Sequence, residues 1–144
     1  AHNAYREIHA NLFNRDGGPE PPVGISVPQA MYDDFVKISE PIQKIRPDYP
    51  FEVKVREPRK RPTRMGGTDA SVFAIEGVPT LGFTTEDFKG YDFDYGEIWH
   101  TERDLYTKNI PEYQEHTATV TAIIALGVAN LDKQLSREGL YTEE

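Results

Sequence analysis

Val23-Gly24-Ile25-Ser26-Val27-Pro28 decides the fold class of this chain, because a short apolar strand stops at a proline suited to the first turn of a helix. Beyond Pro28, the residues Met31, Phe35, Ile38, Ile42 and Ile45 recur at helical spacing as far as Arg46-Pro47. Pro41 is expected to kink that helix, since it lacks the N–H for one rung of the ladder. Phe51-Glu52-Val53-Lys54-Val55-Arg56 then alternates as a half-buried strand, which completes a strand–helix–strand unit.

The pattern continues on both sides. Upstream, Ile8, Ala10 and Leu12 alternate within Glu7 to Phe13 before the turn chemistry of Asn14-Arg15-Asp16-Gly17-Gly18-Pro19, so Asp16 falls just past the carboxyl end of a strand. Downstream, Pro58-Arg59-Lys60-Arg61-Pro62-Thr63-Arg64 reads as a basic loop. Gly66-Gly67-Thr68-Asp69 opens a short helix from Ala70 to Glu76, with Thr68 as N-cap, Asp69 in the first turn and Gly77 as terminator. Val78 to Thr84 reads as a buried strand with Pro79 near its start. Tyr91-Asp92-Phe93-Asp94-Tyr95 alternates aromatic and acidic residues, as a loop over a pocket or an edge strand would.

The last helix starts at Pro111 and carries Val120, Ile123, Ile124, Gly127, Val128, Leu131 and Leu135 as one apolar stripe. It is expected to end at Ser136-Arg137-Glu138-Gly139, with residues 137–144 fraying. Strands alternating with helices predict an α/β fold: three α/β/α layers around a mostly parallel or mixed sheet. Ligands of such sheets gather outside the carboxyl ends of the strands, where this reading puts Asp16.

The chain has 144 residues, enough for one domain or one piece of a larger one. A formal net charge of -8 repels nucleic acid and anionic membranes at long range and leaves small molecules or peptides as the expected partners. Cysteine is absent, so a thiolate nucleophile is excluded and a metal site must use histidine and carboxylates. No apolar run approaches the roughly 20 residues of a membrane span. Ala1 to Glu7 has no apolar targeting core, so the chain is expected to be cytosolic or to lack its targeting segment.

Gly96-Glu97-Ile98-Trp99-His100-Thr101-Glu102-Arg103-Asp104 carries the candidate chemistry. Thr101 and Asp104 have the spacing of a capping box, which predicts a helix start directly after His100 and a rigid backbone beside it. Rigidity suits a metal ligand or a catalytic histidine; a histidine bonded to a carbonyl is the plainer alternative. His2, His9 and His116 are weaker metal candidates. His116, in Glu115-His116-Thr117, is expected on the polar side of the last helix with no second histidine four residues away.

Three loops, Asn14-Arg15-Asp16-Gly17-Gly18, Gly66-Gly67-Thr68-Asp69 and Trp99-His100-Thr101, resemble in order and surroundings the co-catalytic zinc exopeptidases of the aminopeptidase/glutamate carboxypeptidase family. The likeness is nearest to the carboxypeptidase Q-like and bacterial aminopeptidase branch. Its most specific parts are Gly66-Gly67-Thr68-Asp69 with Gly77-Val78-Pro79, and His100-Thr101 followed by Asp104.

The resemblance implies peptide hydrolysis by a water that two zinc ions activate, with Asp16 a ligand of one ion and His100 of the other. It implies that Asp69 lies beside the substrate pocket, although a helix-start carboxylate is an equal reading of that residue. Trp99 stands where relatives carry Tyr or His, and it offers an indole N–H in place of their oxyanion donor. Arg64 either belongs to a solvated basic loop or steers a substrate carboxylate.

The family's upstream His-x-Asp and Glu-Glu, which supply the bridging ligand and the general base, have no counterpart before Asp16; the only Glu-Glu is Glu143-Glu144. The chain therefore resembles the C-terminal part of the catalytic domain, contains no catalytic base, and is expected to be inactive and to hold zinc weakly or not at all when alone. A non-catalytic interaction module on the same fold is the alternative. A metal-free hydrolase using Asp16, Asp69 and His100 is a third reading, and it lacks a Gly-x-Ser-x-Gly elbow. By analogy with the family the protein is expected to be periplasmic or secreted. A truncated sheet would expose an edge and self-associate through it, which sedimentation at high concentration tests.

Overall fold

A computed structural model describes residues 12–13 and 18–142, residues 12 and 13 by their backbone. In chain order the elements are β1 (Leu12–Phe13), β2 (Pro22–Val27), a 3-10 turn (Gln29–Met31), α1 (Tyr32–Ile45), β3 (Glu52–Val55), α2 (Ala70–Ile75), β4 (Thr80–Leu81), β5 (Phe83–Thr85), α3 (Tyr95–Ile98), a second 3-10 turn (Tyr106–Lys108) and α4 (Pro111–Ala129). The upstream part of the first expected strand, with His2 and His9, lies outside the described residues.

The predicted strand–helix–strand unit is present. β2 pairs in parallel with β3, Ile25 opposite Val53 and Val27 opposite Val55. On its other side β2 pairs antiparallel with β5, so the sheet is mixed and its order is β3–β2–β5. The fold is mixed α/β.

The strand expected over Val78 to Thr84 divides in two. Pro79 cannot donate to a ladder, so pairing begins at Thr80; Thr80 and Leu81 join Leu12 and Phe13 in a separate parallel pair, and the chain past Gly82 turns to β2. Ile25 and Val27 are two residues apart on β2 and therefore share a face. They meet Phe35 and Ile42 of α1, Val120 and Ile124 of α4, Val53 and Leu81 in the main core.

Pro41 stays inside α1, which runs on to Ile45. Asp33 and Asp34 in its first turn and Lys44 in its last complement the helix dipole. α1 packs along α4, where Gly127 lets the backbone approach Ile38: a Cβ built on Gly127 would fall against Ile38 Cγ2, with Ile38 Cβ only 3.1 Å away.

α4 stops at Ala129 rather than at Ser136–Gly139. Asn130 and Asp132 follow, and such side chains compete with a helical backbone. Leu131 and Leu135 reach the core from the irregular segment beyond, which bends at Asp132 and Lys133. No helix among the described residues is long and apolar enough to cross a membrane.

The segment expected to fray is anchored as far as residue 142. Leu140 is 1% exposed, the Thr142 N–H donates to the Arg59 carbonyl at 3.1 Å, and the Tyr141 hydroxyl donates to the Ala74 carbonyl at 3.3 Å. Burying one leucine offsets about 1.5–3 kcal/mol of ordering cost, which a frayed tail could not recover.

α2 begins without the expected Thr68 side-chain cap. Thr68 uses its carbonyl instead, accepting from the Ser71 N–H at 3.0 Å, and Asp69 already has helical dihedrals. Its far end follows expectation: Gly77, at φ 74, donates to the Ala74 carbonyl at 3.0 Å. Arg61 of the basic loop closes that end by donating Nε–H to the Ile75 carbonyl at 2.9 Å.

Candidate functional site

α3 sets up the candidate site. Asp94 caps the helix, its carboxylate accepting from the Gly96 N–H at 2.8 Å, and Ile98 buries the end of the single turn. The Trp99 N–H closes on the Tyr95 carbonyl at 2.9 Å. His100 then takes a left-handed backbone, φ 55, which few residues with a Cβ adopt and which gathers at functional positions when the surroundings enforce it.

The surroundings do enforce it here. The Thr101 hydroxyl donates back to the Glu97 carbonyl at 2.9 Å and accepts from the Arg103 N–H at 3.2 Å. The Asp104 N–H reaches the Thr101 carbonyl at 3.2 Å. His100 thus follows a helix instead of preceding one, and Thr101 to Asp104 form a turn. Thr101 accepts as a cap would, yet its second hydrogen bond ties it to the preceding helix and no helix grows from it.

A cleft of about 770 Å³ opens beside this turn. Gly18, Gly67, Trp99 and His100 line it, so each of the three loops singled out in the sequence contributes to one cavity. Asp16 itself lies outside the described residues. Asp104, Leu105, Tyr106 and Lys108 form part of the wall, and Asn109, Gln114 and Thr117 complete it from around the start of α4. Trp99 is 59% exposed, with its ring 4.7 Å from the His100 ring at 70°.

Arg64 and Asp69 are exposed and do not line the cleft; within their segment Gly67 does. Among the described residues no group of three or more His, Asp or Glu side chains is arranged to hold a metal. Of the residues assigned to metal, His100 is the one whose position is described, and it presents one imidazole to the cavity.

A second polar cluster joins α4 to the turn after α1. His116, expected on a polar face, is fully buried. Its ring stacks on Tyr49 at 4.1 Å between centroids, and Nε2 lies 3.0 Å from the Pro22 carbonyl. The Tyr49 hydroxyl donates to Glu112 Oε2 at 2.8 Å, and Lys89 Nζ pairs with the same oxygen at 2.5 Å. Tyr91 also donates to Glu112. The Tyr113 hydroxyl donates to Asp87 at 2.7 Å and accepts from the Lys89 N–H at 3.0 Å.

Burial, then the bond to Asp87, pushes the Tyr113 hydroxyl up to about 12. Burial and Glu112 likewise raise Tyr49. The Glu112 partnership raises Lys89, while Lys89 and then Tyr49 lower Glu112. These groups satisfy one another within packed aromatic rings, so the cluster holds loops onto α4. Its signal was in the sequence: Tyr113, His116, Val120 and Ile124 are spaced three, four and four apart, which extends the buried stripe back through the histidine.

No family model matches this sequence, and no curated protein or solved structure matches it.

Proposed function

We propose that this chain is the C-terminal portion of the catalytic domain of a zinc-dependent exopeptidase, a three-layer α/β/α domain that cleaves a terminal residue from peptides. The observation that carries the reading is the meeting of the three loops: Gly18, Gly67 and the Trp99-His100 pair line one cleft of about 770 Å³. The strained backbone of His100 at its wall supports the same reading.

Among the described residues the donor set supplies one terminal ligand. His100 offers one exposed imidazole on a backbone held by the Thr101 hydrogen bonds, as a terminal ligand requires. Asp16 is assigned to the other ion, and the bridging Asp and the Glu pair to residues upstream of Ala1. When bound, a zinc pair supplies a water deprotonated near neutral pH and polarises the scissile carbonyl. The chain's own residues hold the turn beside His100 through Thr101 and line the cleft with Trp99 and Tyr95. Export goes with this reading by analogy with the family, and association through a sheet edge because a truncated sheet leaves an edge unpaired.

Hydrolysis of aminoacyl and acyl-amino-acid reporters by the protein carrying its native N-terminus tests the proposal. A chelator should abolish turnover and zinc restore it, and His100→Ala should lower kcat/KM by at least about a hundredfold, exceeding the 10–100-fold typical of residues that merely support a ligand. Peptide binding with no zinc-dependent turnover would favour the interaction-module alternative.

A further inference from the structure

The cleft has a marked chemical character. Tyr95, Trp99, Leu105 and Tyr106 line it, and they are 37%, 59%, 57% and 91% exposed, so much apolar surface faces solvent within a span of twelve residues. Such a wall is costly to leave wet and favours an apolar occupant. Lys108 stands in the same wall and is the only lysine or arginine among the described lining residues.

The Lys108 backbone is fixed at the end of its 3-10 turn, its N–H donating to the Leu105 carbonyl at 2.9 Å. Its ammonium makes no ion pair with a described residue, whereas Lys54 and Lys89 are both paired with glutamates. Nearby Asn109 and Gln114 are occupied with each other at 2.6 Å. Arg64, read from the sequence as either solvated or steering a substrate carboxylate, is exposed and off the cleft, and Lys108 is in it.

We propose that Lys108 gives this cleft its direction: it binds the free terminal carboxylate of a peptide whose last side chain, apolar or aromatic, packs on Trp99, Tyr106 and Leu105. A carboxylate meeting an ammonium makes a charge-assisted hydrogen bond, stronger than one between neutral groups. Asp104, in the same lining, repels a second carboxylate and so disfavours peptides ending in Asp or Glu. The inference rests on the exopeptidase reading for the peptide nature of the ligand, and it makes the enzyme a carboxypeptidase; it does not depend on bound zinc.

Trp99 is the sole tryptophan of the chain, so its emission reports the cleft directly. The 144-residue chain is titrated with acetyl-Ala-Phe, its C-terminal amide and acetyl-Ala-Glu. The free acid should bind at least about tenfold tighter than either of the others. Lys108→Gln should weaken the free acid to the level of the amide and leave amide binding unchanged, and Asp104→Asn should improve acetyl-Ala-Glu. Equal binding of acid and amide, discrimination that survives Lys108→Gln, or unchanged emission up to millimolar peptide overturns the proposal. Acid preference without chelator-sensitive hydrolysis in the native protein would instead remove the zinc reading and leave Lys108 in its role.

Discussion

The proton of His116 sits on Nε2, because the Pro22 carbonyl facing that nitrogen can only accept. Nδ1 is then a buried acceptor without a partner among the described residues, at a cost of about 1–3 kcal/mol, which stacking on Tyr49 offsets by roughly 0.5–1.5 kcal/mol. A second proton would charge the ring inside the core. Burial is the main reason its affinity for that proton is lowered; Arg46 and Lys89 add to the lowering, while the Pro22 hydrogen bond and Asp48 oppose it.

The unfolded histidine titrates near 6.5, so below that pH the unfolded chain takes up a proton that the folded chain refuses. Stability contributed by neutral His116 is therefore full above 6.5 and falls as the pH drops below it. Urea midpoints measured at pH 7.5 and 5.5 should decline, and His116→Gln should shrink the decline; an equal decline in the variant contradicts this assignment. His100 is the converse case. Its motif was legible, but its backbone was not, because around it a polar residue is followed three positions later by an acid both at Asp94 with Glu97 and at Thr101 with Asp104. The helix grows from the first, where the Asp94 side chain is free to cap.

At the scale of elements, the α1–α4 contact and the C-terminal segment decide whether the sheet stays covered. Gly127→Ala should cost about 1–3 kcal/mol through the clash with Ile38, less the ~1 kcal/mol that alanine gains over glycine within a helix. Pairing it with Ile38→Ala should recover at least about 0.5 kcal/mol relative to the sum of the single changes, as residues in contact do. Additive denaturation midpoints would show that the two side chains do not meet.

Leu140→Ala should destabilise by about 2–5 kcal/mol in the same assay, the range for a buried leucine; a change under ~0.5 kcal/mol would mean that the tail frays after all. Long periodic elements were legible in the sequence: α4 starts at its proline, whereas the helix expected from Pro28 opens as a 3-10 turn over Gln29–Met31 and becomes α1 only at Tyr32. The end of α4 was not, since Leu131 and Leu135 continue the stripe by position although they pack on the core from an irregular segment past the helix. The division of Val78–Thr84 between two sheets was equally hidden, because partner choice is a non-local property that alternation does not encode.

For the whole molecule, alternation of strands and helices was enough to give a mixed α/β fold, and three separated sequence segments were enough to point at one cleft. Local sequence could not show that the cation in the cavity is Lys108 and that Arg64 is outside it, since that depends on how the chain returns from α3 to α4. This cleft is proposed to carry one terminal ligand of a zinc peptidase site. Metal content and reporter hydrolysis, measured together on the protein with its native N-terminus and on its His100→Ala variant, test it most directly. Two zinc ions and chelator-sensitive turnover are expected in the first, and loss of one ion with at least about a hundredfold loss of kcat/KM in the second. Absence of stoichiometric zinc from the native protein, or turnover unchanged by His100→Ala, would contradict it.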